Sequence, residues 1–295
     1  MNRSRHRSFS IGRIVAITAN TFTELTRLKI FYVVLLFALL LIGNSIFMAQ
    51  LTFQQEFQVL KDIALGAMSI FTSLLAVVAT ARLLPQDLED RTIYTVLAKP
   101  VSRFEYLLGK LAGVLLLLAL SVIVMSALFL IVLKIREQTV LSDTLRQMHG
   151  SPADQVAEAM GVVRASAFNV NLLPGIAIIY VKACLLAALT LFVSTFATSS
   201  IFSTVVMVFV YFIGHLQSTA RAYWLQTNAT GWLTKVFLAF VALLFPDLQL
   251  FNLVDDIVAG SAIPLVLFAK TVTLGFFYTG FYLLLAWSIF YRKEL

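Results

Sequence analysis

The chain has 295 residues, of which 60% are hydrophobic and only 13% charged, with a formal net charge of +7. A soluble domain carries about 25% charged residues, so this composition excludes one and selects an integral membrane protein. The single cysteine, Cys184, excludes an intramolecular disulfide and any Cys-rich metal or iron–sulfur site.

The apolar runs are about 20 residues long and do not alternate with polar ones, which favours helices over a membrane barrel. The predicted fold class is therefore all-α integral membrane with six transmembrane helices. Residues 1–10 form a basic tail suited to anionic headgroups. Residues 11–29 follow with an apolar stripe of Ile11, Ile14, Val15, Phe22, Leu25 and Leu28, interrupted by Thr18. Asn20, Thr23, Glu24 and Arg27 fall largely on the other side, which predicts an amphipathic helix in the membrane interface. A plain helical extension of the first span is the competing reading. No apolar stretch ends at a small-residue cleavage site within residues 1–29, so the first apolar run is expected to be a retained span.

The six spans are predicted at 30–49, 63–84, 111–133, 183–197, 201–217 and 271–291. Lys182 and Lys270 each precede an apolar run. Snorkelling to the headgroups accounts for both and would make 172–181 and 263–269 interfacial entries. A lysine at the midplane would instead be functional. Between the third and fourth spans, 134–171 reads as an external polar segment, with a helix over 154–164 introduced by Ser151-Pro152. Residues 236–245 are apolar but too short to cross about 30 Å of hydrocarbon, which predicts a re-entrant or interfacial element.

Orientation follows from the lysines and arginines, which concentrate on the cytoplasmic side. With both termini cytoplasmic, that side gains Arg3, Arg5, Arg7, Arg13, Arg27, Lys29, Arg82, Arg91, Lys99, Arg103, Lys110, Arg292 and Lys293. The outer side holds fewer: Lys61, Lys134, Arg136, Arg146, Arg164, Arg221 and Lys235. This distribution explains the positive net charge without a nucleic-acid partner.

The stretch Gln86–Lys110, between two of the most apolar runs, carries Asp87, Glu89, Asp90, Arg91, Lys99, Arg103, Glu105 and Lys110. Each charge would cost about 2.5–3.5 kcal/mol at a bilayer centre, so this loop lies in water. Ser102-Arg103-Phe104-Glu105 has the S-x-x-E spacing of a capping box, with Val101 and Tyr106 at the staple positions. Pro100 disfavours helix at Lys99 and sets a break there. Upstream, 87–97 reads as a separate short helix whose leading carboxylates suit its dipole. Gly109 and Gly113 have the spacing that permits close helix packing.

Leu88-Glu89-Asp90-Arg91-Thr92-Ile93, Leu97-Ala98-Lys99-Pro100-Val101-Ser102-Arg103, Glu105 and Leu107-Leu108-Gly109-Lys110 together resemble the cytoplasmic signature of ABC-2 type permeases. These are the membrane subunits of ATP-binding-cassette exporters, in the group that includes sodium-exporter and nitrous-oxide-maturation permeases. Asp90-Arg91 stands where that family often has a basic residue and Gly before Thr. The resemblance implies one six-span domain over 30–295, preceded by a tail and interfacial helix over 1–29. It implies a coupling helix in the 85–110 loop, seated in a groove of a separate ATPase subunit. Glu89, Asp90, Arg91 and Thr92 would then contact that ATPase, with Arg103 and Glu105 bracing the turn. Further implications are a bacterial inner or plasma membrane location, a second permease copy or a homologous permease as partner, and ATP and Mg bound only by the ATPase.

The sequence has no G-x-x-x-x-G-K-[ST] loop, so nucleotide hydrolysis is expected from another chain. It has no H-E-x-x-H and no G-x-S-x-G, and neither catalytic nor metal-ligating residues are assigned. His215 reads as a polar cap at the outer end of the fifth span, or alternatively as a ligand. The predicted spans contain no Asp or Glu, which argues against an ion-coupled carrier. Their scattered Ser, Thr and Asn suit an amphipathic cargo and equally suit helix–helix hydrogen bonds. The expected function is the permease of an ATP-driven exporter. The alternative is a membrane scaffold or assembly factor that binds a cytoplasmic partner without transport.

Overall fold

The computed structural model describes residues 9–50, 56–91, 101–169, 171–226, 232, 245–252, 257–258 and 263–292. Among them the elements run α1 (Ile11–Thr26), α2 (Lys29–Gln50), α3 (Glu56–Glu89), α4 (Arg103–Gln147), α5 (Ala153–Ala167), α6 (Leu172–Phe196) and α7 (Ser200–Gln226). A 3-10 turn (Leu248–Phe251) and α8 (Leu265–Arg292) complete the order, and no strand occurs among the described residues. Six helices, α2, α3, α4, α6, α7 and α8, are long and apolar enough to cross a membrane. The expected 236–245 element lies outside the described residues except for Phe245.

The bundle is built around α6, which packs against α3, α4, α7 and α8. Its middle, Ala183, Cys184, Leu185, Leu186, Ala187 and Ala188, is buried on all sides, and the small residues let neighbouring helices approach closely. The outer helices turn large apolar side chains outward, among them Phe37, Phe209 and Phe277. The end of the bundle that carries residues 85–110 is called the loop end below, and the opposite one the far end.

Several helices continue past the limits that hydropathy suggests. The third span was expected to stop at 133, but α4 runs on to Gln147. Its 45 residues rise roughly 67 Å, more than twice a hydrocarbon core of ~30 Å. Polarity ends a span but does not end a helix. No breaker intervenes until Gly150, whose φ of +99° turns the chain. The extension is steadied at the far end, where Arg136 Nε donates to Glu56 Oε2 (3.0 Å); beside it Lys61 Nζ donates to the Ser166 carbonyl (2.6 Å) and ties α3 to α5. The helix expected at 154–164 is α5, longer than predicted, with Pro152 itself in the cap position.

The snorkelling reading of Lys182 is overturned. α6 begins at Leu172, not near 183, so 172–181 belongs to the same helix as the expected fourth span and Lys182 lies inside it, only 2% exposed. The segment 172–181 is as apolar as the span that follows, and one lysine does not interrupt a helix. Lys270, by contrast, is exposed in the second turn of α8, which begins at Leu265, ahead of the expected 271. His215 is not an end cap, because α7 continues to Gln226.

α1 runs parallel to the first turns of α4. Gly109 and Gly113 make this contact possible: a Cβ on Gly109 would fall 2.8 Å from Ile17 Cβ, and one on Gly113 would fall 2.7 Å from Thr21 Cβ. Thr18, the polar interruption in the α1 stripe, donates its hydroxyl to the Gly109 carbonyl (3.2 Å). Gly113→Val should therefore push α1 off α4, at the cost of about 1–3 kcal/mol typical of overpacking. Amide exchange across Thr18–Leu25 would rise in that variant. Unchanged exchange would mean that the close approach is not what holds α1.

Candidate functional site

The charged loop is described on its two flanks, up to Arg91 and from Val101 onward. Thr92, the remainder of the expected 87–97 helix and the Lys99–Pro100 break lie outside the described residues. The upstream flank departs from expectation. Asp87 and Glu89 do not start a new helix; they form the last turn of α3. There the helix dipole presents its negative end, so these carboxylates need compensation that a helix start would have supplied. Pro85 is tolerated four residues from the end, and the helix closes with Asp90 N–H donating to the Gln86 carbonyl (2.9 Å). Arg91 then takes a φ of +56°, a left-handed conformation that costs a residue with a Cβ roughly 1–2 kcal/mol. Glu89, Asp90 and Arg91 are all exposed and end the described upstream flank, which is called the tip below.

The compensation for Asp87 comes from α4. Lys110 Nζ stands 2.7 Å from Asp87 Oδ2, and the Tyr106 hydroxyl donates to the same oxygen. Lys110 also reaches Glu24 Oε2 of α1 (3.5 Å) and lies over the Tyr106 ring. One ammonium thus joins the end of α3, the start of α4 and the end of α1. Tyr106 and Lys110 are one turn apart on α4, so a single face supplies both contacts.

The downstream flank begins with the capping box. Glu105 N–H donates to Ser102 Oγ (3.2 Å), and Ser102 N–H donates to Glu105 Oε2 (2.8 Å). The second oxygen of Glu105 leaves the box and binds α1, accepting from Ser10 N–H (2.7 Å) and Arg13 Nη2 (2.8 Å). The Glu105 side chain is fully buried, so these donors replace the water its charge would otherwise hold. Arg103 turns towards α8. Its Nη1 donates to the carbonyls of Phe290 (2.7 Å) and Tyr291 (2.8 Å), and its guanidinium lies over the Phe290 ring. A cation on the last carbonyls of α8 satisfies groups that the helix itself leaves unpaired. Phe104 against Trp287 and Tyr106 against Phe290 extend the contact.

The residues singled out from sequence thus fall into two sets. Glu89, Asp90 and Arg91 are outward-facing, whereas Arg103 and Glu105 are turned into the bundle. The network also depends on residues that the sequence reading passed over as partners: Ser10, Arg13, Glu24, Asp87, Tyr106 and Lys110. Their polar positions were visible, but the pairing of residue 13 with residue 105 leaves no local signal. Among the described residues no cluster of His, Cys, Asp or Glu could hold a metal. The geometry is mechanical, with an exposed charged tip joined to α1, α3, α4 and α8 by buried polar contacts.

An all-helical chain with six spans and a charged, braced loop of this kind defines a polytopic membrane subunit. Residues 15–295 match the family model described as ABC-2 family transporter protein, and the chain belongs to that family. It is accordingly a multi-pass permease subunit of an ABC transporter, a family that works with an ATP-binding subunit. No curated protein matches the chain. Arg91 holds a left-handed conformation that glycine would adopt without a steric cost.

Glu105→Gln would keep the side-chain shape but remove the charge that Arg13 and the Ser10 amide meet. A loss of about 1–3 kcal/mol is expected, with amide exchange rising across Ser10–Ile17. Arg13→Ala should cost less, since that side chain is 26% exposed and partly hydrated. Equal effects of the two changes would show that the Arg13 ion pair accounts for all that the Glu105 charge contributes, and that the cap and the Ser10 amide add nothing.

Proposed function

We propose that this permease exports its cargo, driven by ATP hydrolysed with Mg on a separate subunit that docks on the 85–110 loop. Glu89, Asp90, Arg91 and Thr92 present the docking surface, and Arg103 and Glu105 brace the turn behind it. The observation that carries this reading is the bracing itself. A displacement applied at the tip reaches α4 through Asp87 and Lys110, α1 through Glu105, and α8 through Arg103. A mobile linker between two spans would need none of these contacts.

The same geometry supports a lever. α4 is one uninterrupted helix from the braced cap at Ser102 to Gln147, so a tilt imposed at the loop end moves the far end with it. Two copies of this chain, or this chain and a homologous permease, would enclose the path. The positive-inside count supports a cytoplasmic loop and cytoplasmic termini, with 1–29 as tail and interfacial helix and 134–171 outside, and the resemblance to ABC-2 permeases supports a bacterial membrane.

The test is crosslinking in intact membranes that contain the neighbouring ATPase. Cysteine at Arg91 or Thr92 should join the permease to the ATPase, and cysteine at Asn228 should not. Glu89→Arg should abolish ATPase capture and transport while the membrane domain still folds and elutes as wild type. Recovery of a partner that is no ATPase would replace the exporter reading with that of a membrane scaffold.

A further inference from the structure

Lys182 lies ten residues from the start of α6 and fourteen from its end, roughly 15 and 21 Å along the axis. It is 2% exposed, inside a helix long and apolar enough to cross a membrane. Its ammonium donates to Ser69 Oγ of α3 (3.2 Å), faces His215 Nε2 of α7 (3.2 Å) and lies 5.4 Å from the centre of the Tyr211 ring. His215 Nδ1 is 2.9 Å from the Tyr211 carbonyl. A carbonyl only accepts, so Nδ1 carries the proton and Nε2 of the neutral ring presents its lone pair to Lys182. With Lys182 protonated the pair holds one positive charge, and a proton added to His215 would set two cations side by side.

No carboxylate among the described residues stands within ion-pair distance of Lys182. Asp247 is near enough to act on His215, but its side chain is used as the cap of the 3-10 turn, accepting from Gln249 N–H (3.1 Å). Gln249 Nε2 in turn donates to the His215 carbonyl (3.2 Å) and fixes that turn of α7. Ser73 shares a hydrogen bond with Tyr211. The elements around the ammonium therefore offer it hydroxyls, an imidazole and a ring face, with the Asp247 carboxylate acting on the far side of His215 rather than pairing with Lys182. The cluster is closed by α3 and α6 but reaches the surface on α7, where Tyr211 and His215 are half-buried beside the exposed Phe212 and Leu216. A lone cation at this depth, next to an apolar flank, fits a ligand with a negative head and a hydrocarbon body.

We propose that Lys182 and His215, with Ser69 and Tyr211, form a receptor for the anionic head of an amphipathic ligand, reached from the exposed face of α7. As a cargo site it rests on the transporter reading above, and it goes further by naming the charge of the cargo. A bilayer lipid and a single-chain cargo share this chemistry, so the experiment must separate them.

The full chain in phosphatidylcholine nanodiscs is irradiated with a diazirine-tagged alkyl phosphate, or with the uncharged alcohol of equal length. The phosphate probe should label segments 69–73 and 211–215 about thirtyfold more than the alcohol, the scale expected for a desolvated charge contact. Lys182→Met should reduce phosphate labelling to the alcohol level, and Lys182→Arg, which keeps the charge, should retain most of it. Equal labelling of the wild type by both probes overturns the proposal without reference to any variant. Undiminished phosphate labelling of Lys182→Met, eluting as wild type, overturns it as well and leaves the lysine a packing role. Phosphatidylglycerol added to the nanodiscs identifies the source: displacement of the probe assigns the site to a membrane lipid, and no displacement to a single-chain cargo. ATPase capture by cysteine at Arg91, measured on the same protein, separates the two readings. Labelling without capture keeps the anion site and removes the exporter coupling; capture without labelling removes only the anion site.

Discussion

The architecture at the loop end depends on one buried carboxylate. Glu105 serves two helices at once, capping α4 with one oxygen and holding the start of α1 with the other. A carboxylate with no exposed surface is tolerable only if donors replace its water, and here two of them, Ser10 N–H and Arg13, come from a segment more than 90 residues earlier. The arrangement is therefore cooperative. α1 cannot leave without stranding a buried charge, and α4 cannot start elsewhere without losing its cap. Gly109 and Gly113 complete the constraint, since the ion pair forms only if the two backbones approach as closely as missing side chains allow.

Charge and hydrophobicity divide the work along the bundle. The apolar middle gives cohesion without direction, because lipid offers apolar side chains an environment much like that of a neighbouring helix. Position is set at the ends, where polar pairs are specific. Asp87 with Lys110 and Arg103 with the α8 carbonyls fix the loop end, and Glu56 with Arg136 joins α3 to α4 at the far end. A bundle pinned at both ends and packed through small residues in between can tilt as a set of rods. Such a body can pass a push from one side of a membrane to the other.

The six spans and the all-helical class were legible because uniform apolar runs of about 20 residues match the length of helix that a bilayer requires. The S-x-x-E box at Ser102 was legible because capping is local, and so was the close-packing potential of Gly109 and Gly113. What was not legible shares a physical cause. Hydropathy reports where lipid is, not where hydrogen bonding stops, so it cut α4 at 133 and opened α6 at 183, when the backbone continues through Lys134 and through Lys182 alike. The same bias started a new helix at Asp87, where the chain was only finishing α3. The partner of each charge was also hidden. Nothing near residue 13 in the sequence points to residue 105, since the two are joined by the docking of α1.

The buried cations show why Lys182 differs in kind. Lys110 and Arg136, like the part-buried Arg13, face carboxylates. Lys61, also buried, faces a backbone carbonyl, yet it is only six residues into α3 and close to the far end. Lys182 has neither advantage: it is far from both ends of its helix, and its contacts are a hydroxyl, an imidazole and a ring face. If packing were the only demand, a methionine would fill the same space without desolvating an ammonium. Retaining the charge and holding His215 in the tautomer that accepts from it together keep a positive pole inside the bundle. That pole draws in a negative charge, and the half-open flank of α7 is the side from which one can approach.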